Sequence, residues 1–275
     1  MGIIKKIIVI LLIALSVASI SFWPASAKDV TISGSSTVMP LAEAAAEVFN
    51  ADQHEYVVSV TAGGTGAGIL GITERKYDIA MASRALTEAE KRRSGGNFRE
   101  FEVGLDGISL AVSEKIYLAG VKGLSREQVR KIYSGDIANW KQVGGPDEEI
   151  YVISREEGSG TRDDFNEAVL GSREAETPGV DTVANGGAEV KTAISGSDRA
   201  IGYLGFNYLG GGVRAIAFDG ITPNYENIKL DIYELQRHLY FYTFGDPTPG
   251  AREFIDFVQG SEGQKIAAEE GFIPI

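Results

Sequence analysis

The chain has 275 residues, with 26 lysines and arginines against 38 aspartates and glutamates, a formal net charge of −12, and no cysteine. So acidic a chain is a poor partner for nucleic acid or an anionic membrane surface. Without cysteine it has no disulfide, no thiol nucleophile, no zinc–thiolate cluster and no cysteine for lipid attachment, and its stability rests on a hydrophobic core that its length can supply.

Lys5 and Lys6 precede an apolar run from Ile7 to Ile20 and a small-residue site, Ala25-Ser26-Ala27, the pattern of a secretory signal peptide. The run of about 14 residues falls short of the ~20 that an ordinary membrane-spanning helix needs. Residues 1–27 are therefore expected to be a signal peptide, with the mature chain starting near Lys28; an uncleaved anchor, lengthened by Phe22 and Trp23, is the alternative. Either way the folded part lies outside the cytoplasm, in a periplasm or at the outer face of the membrane. Removal of Lys5 and Lys6 leaves 24 basic against 38 acidic residues, a mature charge of about −14. That charge does not bar anion binding, because screening beyond roughly 8 Å leaves a buried site to answer mainly to its own lining.

From Lys28 onward, Val30 to Ile32 reads as a strand, followed by a Gly/Ser turn and an alanine-rich amphipathic helix from about Met39 to Asn50. Val57 to Val60 is a second strand, Gly63 to Gly68 a second turn opening a helix that ends near Lys76, and Ile79 to Ala82 a third strand. Strands that feed helices through glycine-rich loops predict an α/β fold with open, mostly parallel sheets and ligands beyond the strands' carboxyl ends. A second block repeats the pattern: strand Gly107 to Val112, a helix capped by Ser125 and running through Tyr133, and strand Ile150 to Ile153 before another Gly/Ser turn. Asp181 to Lys191 carries a strand and a helix start, Ala200 to Tyr203 and Leu239 to Thr243 are strands, and helices Pro249 to Val258 and Gly263 to Glu269 close the chain. Tyr133 and Trp140 read as core residues.

Three strand-to-helix turns consist of small hydroxyl residues and glycines: Gly34-Ser35-Ser36-Thr37, Gly63-Gly64-Thr65-Gly66 and Gly158-Ser159-Gly160-Thr161. A helix amino terminus offers unpaired N–H groups and about half a positive charge, and glycine lets an anion approach the backbone. One such turn is ordinarily only an N-cap; three together point to an anion cradle. Arg84 follows the third strand and Arg155 precedes the third turn, each with a planar fork suited to a tetrahedral oxyanion. Donors alone do not separate phosphate from sulfate. Hydrogen phosphate keeps a proton near neutral pH, so a buried carboxylate would accept from it and repel sulfate. Asp106, at the start of an apolar strand, is the candidate acceptor, with Asp163 and Asp164 as rivals whose simpler role is to complement a helix dipole.

These motifs, GSSTVMPL, GGTGAGI, DIAMASRAL, IYSGDIANWKQVGG, REEGSGTRDDF, AIGYLGF and SEGQKIAAEEGFIPI, together covering nearly all of Lys28 to Ile275, resemble the phosphate-binding proteins of phosphate ABC transporters in their shorter bacterial and archaeal branch. The resemblance implies a periplasmic-binding-protein fold, two α/β lobes joined by hinge strands with one phosphate between them: lobe I from residues 28–112 and 236–275, lobe II from 113–235. It implies that Ser36, Thr37, Thr65 and Ser83 bind from one lobe and Arg155, Ser159, Gly160 and Thr161 from the other. Arg84 stands where longer members carry the aspartate that takes the phosphate proton, so that role passes to Asp106. A monomer is expected, with inorganic phosphate and a membrane permease as partners and no cofactor or metal. The rival readings are a receptor for sulfate, molybdate or tungstate, and a secreted phosphatase. The latter lacks support, since neither His54 nor His238 has metal-ligand spacing to another strong ligand.

Overall fold

The computed structural model describes residues 27–93 and 95–275, so the expected signal peptide lies, apart from Ala27, outside the described residues. Strand β1 (Lys28–Gly34) buries Val30 and Ile32, and helix α1 (Met39–Asp52) buries Leu41, Ala42, Ala45, Ala46 and Phe49 against it. Pro40 in its first turn costs no hydrogen bond there, because that N–H has no intrahelical partner. Strand β2 (Tyr56–Ala62), helix α2 (Thr65–Thr73), strand β3 (Ile79–Ala82) and helix α3 (Glu88–Arg93) follow. Strand β4 (Phe98–Ser113) is far longer than its apolar run Gly107 to Val112 suggests.

The second block holds α4 (Glu114–Leu118), β5 (Gly123–Leu124), α5 (Arg126–Ser134), β6 (Tyr151–Arg155), α6 (Gly160–Phe165) and β7 (Thr182–Ala184). It continues with α7 (Gly187–Ser195), β8 (Ala200–Gly205), β9 (Val213–Ala215), β10 (Ala217–Phe218) and α8 (Tyr225–Lys229). Helix α5 starts as its sequence demands: Ser125 accepts from the Gln128 amide while the Gln128 side chain accepts from the Ser125 amide, a reciprocal capping box. Strand β11 (Gln236–Phe244) then returns to the first block, and α9 (Pro249–Gln259) and α10 (Ser261–Glu269) pack there.

Among the described residues nine strands form one sheet, along the path β2-β1-β3-β11-β4-β8-β6-β7 with β9 beside β4, while β5 and β10 pair with each other in a separate small sheet. The outer triplets β2-β1-β3 and β8-β6-β7 are parallel, and β11 and β4 join them through antiparallel pairs. The α/β expectation is met, with an antiparallel seam between its parallel halves. One core gathers residues from Val30 to Val103 and from Leu239 to Phe272; another gathers residues from Ile108 to Leu235 together with Ile273. Tyr133 and Trp140 are fully buried in the second, where Phe165 stacks on Tyr203 at 3.9 Å between centroids.

Candidate binding site

The three glycine-rich turns meet where the two cores face each other. The Gly66 amide donates to the Gly158 carbonyl at 3.1 Å, and Thr37 Oγ1 lies 3.0 Å from Thr161 Oγ1. Thr65 Oγ1 is 3.4 Å from Ser83 Oγ and accepts from the Ser83 amide at 3.3 Å. Gly160 closes this corner: a Cβ there would sit 2.6 Å from Ser83 Oγ and 2.7 Å from Thr65 Oγ1, so no larger residue lets the backbone come so near. Gly34 plays a parallel part at the first turn, where β1 passes so close to β3 that a Cβ would fall 2.2 Å from the Met81 carbonyl oxygen.

Arg155 reaches across the seam. Its Nη2 donates to Ser36 Oγ at 3.1 Å, while Nε and Nη2 also pair with the Glu156 carboxylate. Its Nη1 is buried without a hydrogen-bond partner among the described residues, which marks it as a donor aimed at something other than protein. Behind it, Tyr203 accepts from the Arg155 amide and shares a 2.9 Å hydrogen bond with Ser154; burial pushes the Tyr203 hydroxyl up to about 12, so it stays a neutral prop. Tyr208 donates to the Ser36 carbonyl at 2.8 Å from the far side of the seam.

All ten residues singled out from the sequence, Ser36, Thr37, Thr65, Ser83, Arg84, Asp106, Arg155, Ser159, Gly160 and Thr161, are buried, and Ser36, Thr37, Thr65, Ser83, Arg155, Gly160 and Thr161 line one ring. Ser159 supports it as an N-cap, its Oγ accepting from the Arg162 amide. The side chain of Arg84 is turned elsewhere. It pairs bidentately with Glu90, donates through Nε to Asp163 at 2.8 Å, and these carboxylates raise its pKa against the cost of burial. Asp106 differs from the open acceptor expected of it: Arg237 Nε and Nη2 donate to its Oδ2 at 3.2 and 2.8 Å, and the Phe206 amide donates to Oδ1 at 2.9 Å. Asp163 is held by Arg84, and Asp164 lies 3.7 Å from Arg173.

Arg237 is the residue that the sequence reading passed over. It alternates along β11 with Leu239 and Phe241, which are fully buried, and period-two alternation places it on their inward face. A cation at a core-facing register is the signal that could have found it.

The sequence model of the PBP superfamily domain matches residues 22–262. The phosphate-binding protein PstS of Bacillus subtilis is 34% identical over 249 residues, covering 90% of this chain and 81% of that protein; PstS of Borreliella burgdorferi is 30% identical over 260 residues, covering 90% of each. Among solved structures, a substrate-binding protein from Clostridium perfringens with bound phosphate superposes with a TM-score of 0.83 at 36% identity, covering 90% of this chain and all of that one. An ABC-type phosphate transport receptor from Vibrio cholerae gives 0.74 at 34% identity, with 90% of this chain and 100% of that one covered. The chain belongs to the PBP superfamily and, within it, to the family of the PstS phosphate-binding proteins. Its α/β architecture is the periplasmic-binding-protein fold.

Proposed function

We propose that this protein is an exported receptor for inorganic phosphate that hands its ligand to the membrane permease of an ABC transporter and performs no catalysis. The observation that carries the reading is Nη1 of Arg155, buried with no partner among the described residues while Nη2 of the same guanidinium donates to Ser36, at a seam where the buried hydroxyls of Thr37 and Thr161, and of Thr65 and Ser83, also meet. A dehydrated oxyanion needs a fixed cation and convergent neutral donors, and the amino termini of α1, α2 and α6 add N–H groups and positive dipole ends to the same space. The phosphate named for the Bacillus and Borreliella relatives, and bound in the Clostridium structure, supports the choice of anion.

In this reading the lobes are residues 28–112 with 236–275 and residues 113–235, and the protein acts as a monomer at the outer face of the membrane or in the periplasm. Ser36, Thr37, Thr65 and Ser83 bind from the first lobe. Arg155, Gly160 and Thr161 bind from the second, Ser159 holds their helix start, and Arg84 and Asp106 act through the ion pairs they make. Phosphate stabilises the closed form because only there does it touch both lobes. Among the described residues no helix is long and apolar enough to cross a membrane, and no acidic or histidine cluster suits a metal ion. Calorimetric titration of ligand-stripped protein tests the reading: saturable one-to-one phosphate binding and zero turnover of p-nitrophenyl phosphate are expected. Absence of phosphate binding sinks it.

A further inference from the structure

Arg237 lies on β11 directly opposite Asp106 on β4, in the pair of strands that runs from one core into the other. Both are buried, with side-chain exposures of 4% and 0%. The guanidinium does three things at once: Nε and Nη2 grip Asp106 Oδ2, Nη1 donates to Thr161 Oγ1 at 2.9 Å, and Nη2 reaches Thr37 Oγ1 at 3.5 Å. Thr37 and Thr161 come from opposite sides of the seam and touch each other at 3.0 Å. One cation on the joining strands therefore contacts a hydroxyl from each side.

Hydroxyl geometry gives this arrangement a consequence. Each threonine oxygen carries one proton and two acceptor positions, and a guanidinium accepts nothing. Neither hydroxyl proton can point back at Arg237. One proton closes the Thr37–Thr161 contact, and the other is left to donate to some group other than Arg237. Donation by a cation onto a hydroxyl oxygen also polarises that hydroxyl as a donor. Asp106 meanwhile has three donors on its two oxygens among the described residues, of roughly four positions that a carboxylate offers. Little capacity is left in it to accept a proton from a ligand.

We infer that Arg237 and Asp106 form one positioning unit, in which Asp106 fixes Arg237 and Arg237 aims the Thr37 and Thr161 hydroxyls at the bound anion, so that discrimination for a protonated anion does not reside in Asp106. The inference rests on the phosphate-receptor reading and adds to it a specificity statement. It differs sharply from a proton-reading carboxylate: a reader favours phosphate over sulfate, whereas a positioning unit serves both anions alike.

The test is calorimetric titration with phosphate, and sulfate competition against it, on wild type, D106N, R237Q and the double variant D106N/R237Q. The double variant replaces the charged pair with neutral groups of similar shape, which keeps the experiment decisive where a single variant strands a buried charge and fails to fold. R237Q and the double variant are expected to weaken phosphate and sulfate by at least 10-fold each, with their ratio held within about threefold, and D106N is expected to move both anions in the same direction. Opposite movements in D106N, weaker phosphate with tighter sulfate, overturn the inference and give Asp106 the reader's role. So does a folded R237Q or double variant with wild-type phosphate affinity. A wild-type protein that binds no phosphate overturns the receptor reading itself, a different result from either of these.

Discussion

At the scale of single residues, two kinds of fit matter, one in the site and one beside it. Gly160 is steric: the hydroxyls that a Cβ would meet at 2.6 and 2.7 Å belong to Ser83 and Thr65, which are short, buried and bonded to each other. Neither has room to give way. Gly160→Ala is therefore expected to weaken phosphate at least 30-fold in a calorimetric titration while shifting the melting temperature by only a few degrees, since the strain falls on the seam and can be relieved by opening it. Asp164 is electrostatic. Burial raises its pKa from 3.8 to about 6, against the opposing pull of Arg237, Arg173 and Arg84. A carboxyl whose folded pKa lies above its unfolded value stabilises the fold when protonated; that contribution is complete below pH 3.8 and is lost as pH rises through about 6. Asp164→Asn is expected to raise unfolding free energy in urea by about 1–2 kcal/mol at pH 7.5, less than the whole rise in pKa corresponds to because the side chain is partly exposed, and to change nothing near pH 4. The hydroxyls and glycines that meet at the seam were legible in the sequence because helix starts advertise themselves through Gly, Ser and Thr. Arg237 was not, because a strand's inward face is visible only once its register is known, and the ion pairs of Arg84 were not, because nothing local reveals that Glu90 and Asp163 converge on it.

At the scale of elements, local signals and long-range pairing separate cleanly. Helix α5 was readable to its first residue, since Ser125 and Gln128 are a complete capping box within four residues of chain. Ser125→Ala removes the acceptor for the Gln128 amide, and a loss of about 1 kcal/mol is expected by chemical denaturation, with phosphate affinity unchanged because α5 packs in the second core away from the ring. Strand β4 shows the opposite. Its amino-terminal half was invisible because Arg99, Glu100 and Glu102 interrupt the apolar pattern, and only pairing with β11 makes it a strand. An irregularity between Leu239 and Tyr240 leaves Val103 unmatched across the ladder; such a bulge bends the pair and sharpens its twist. That bend lies where the chain passes from the first core to the second.

At the scale of the whole molecule, the seam is held partly by the protein itself. The bonds Gly66 to Gly158, Arg155 to Ser36, Tyr208 to Ser36 and Thr37 to Thr161 all cross it, and so does the ion pair of Arg84 with Asp163. A ligand shifts an opening equilibrium only by its differential affinity for the two forms, so contacts of this kind set how far closed the receptor lies before phosphate arrives. Arg84 is the informative case because it is anchored independently: its bidentate bond to Glu90, itself fixed by the Thr87 amide and hydroxyl, stays within the first block. Asp163→Asn weakens the crossing bond alone, leaving the Arg84–Glu90 pair and every residue of the ring in place. Such a change acts on the closed form and leaves the encounter of phosphate with the open one untouched. Stopped-flow measurement with a fluorescent reporter on the seam is therefore expected to show dissociation accelerated by about 3- to 10-fold, no more than 1.4 kcal/mol of closed-state stability, with the association rate within twofold of wild type. An equal fall in association with unchanged dissociation would place the Arg84–Asp163 bond in the capture step and remove it from closure.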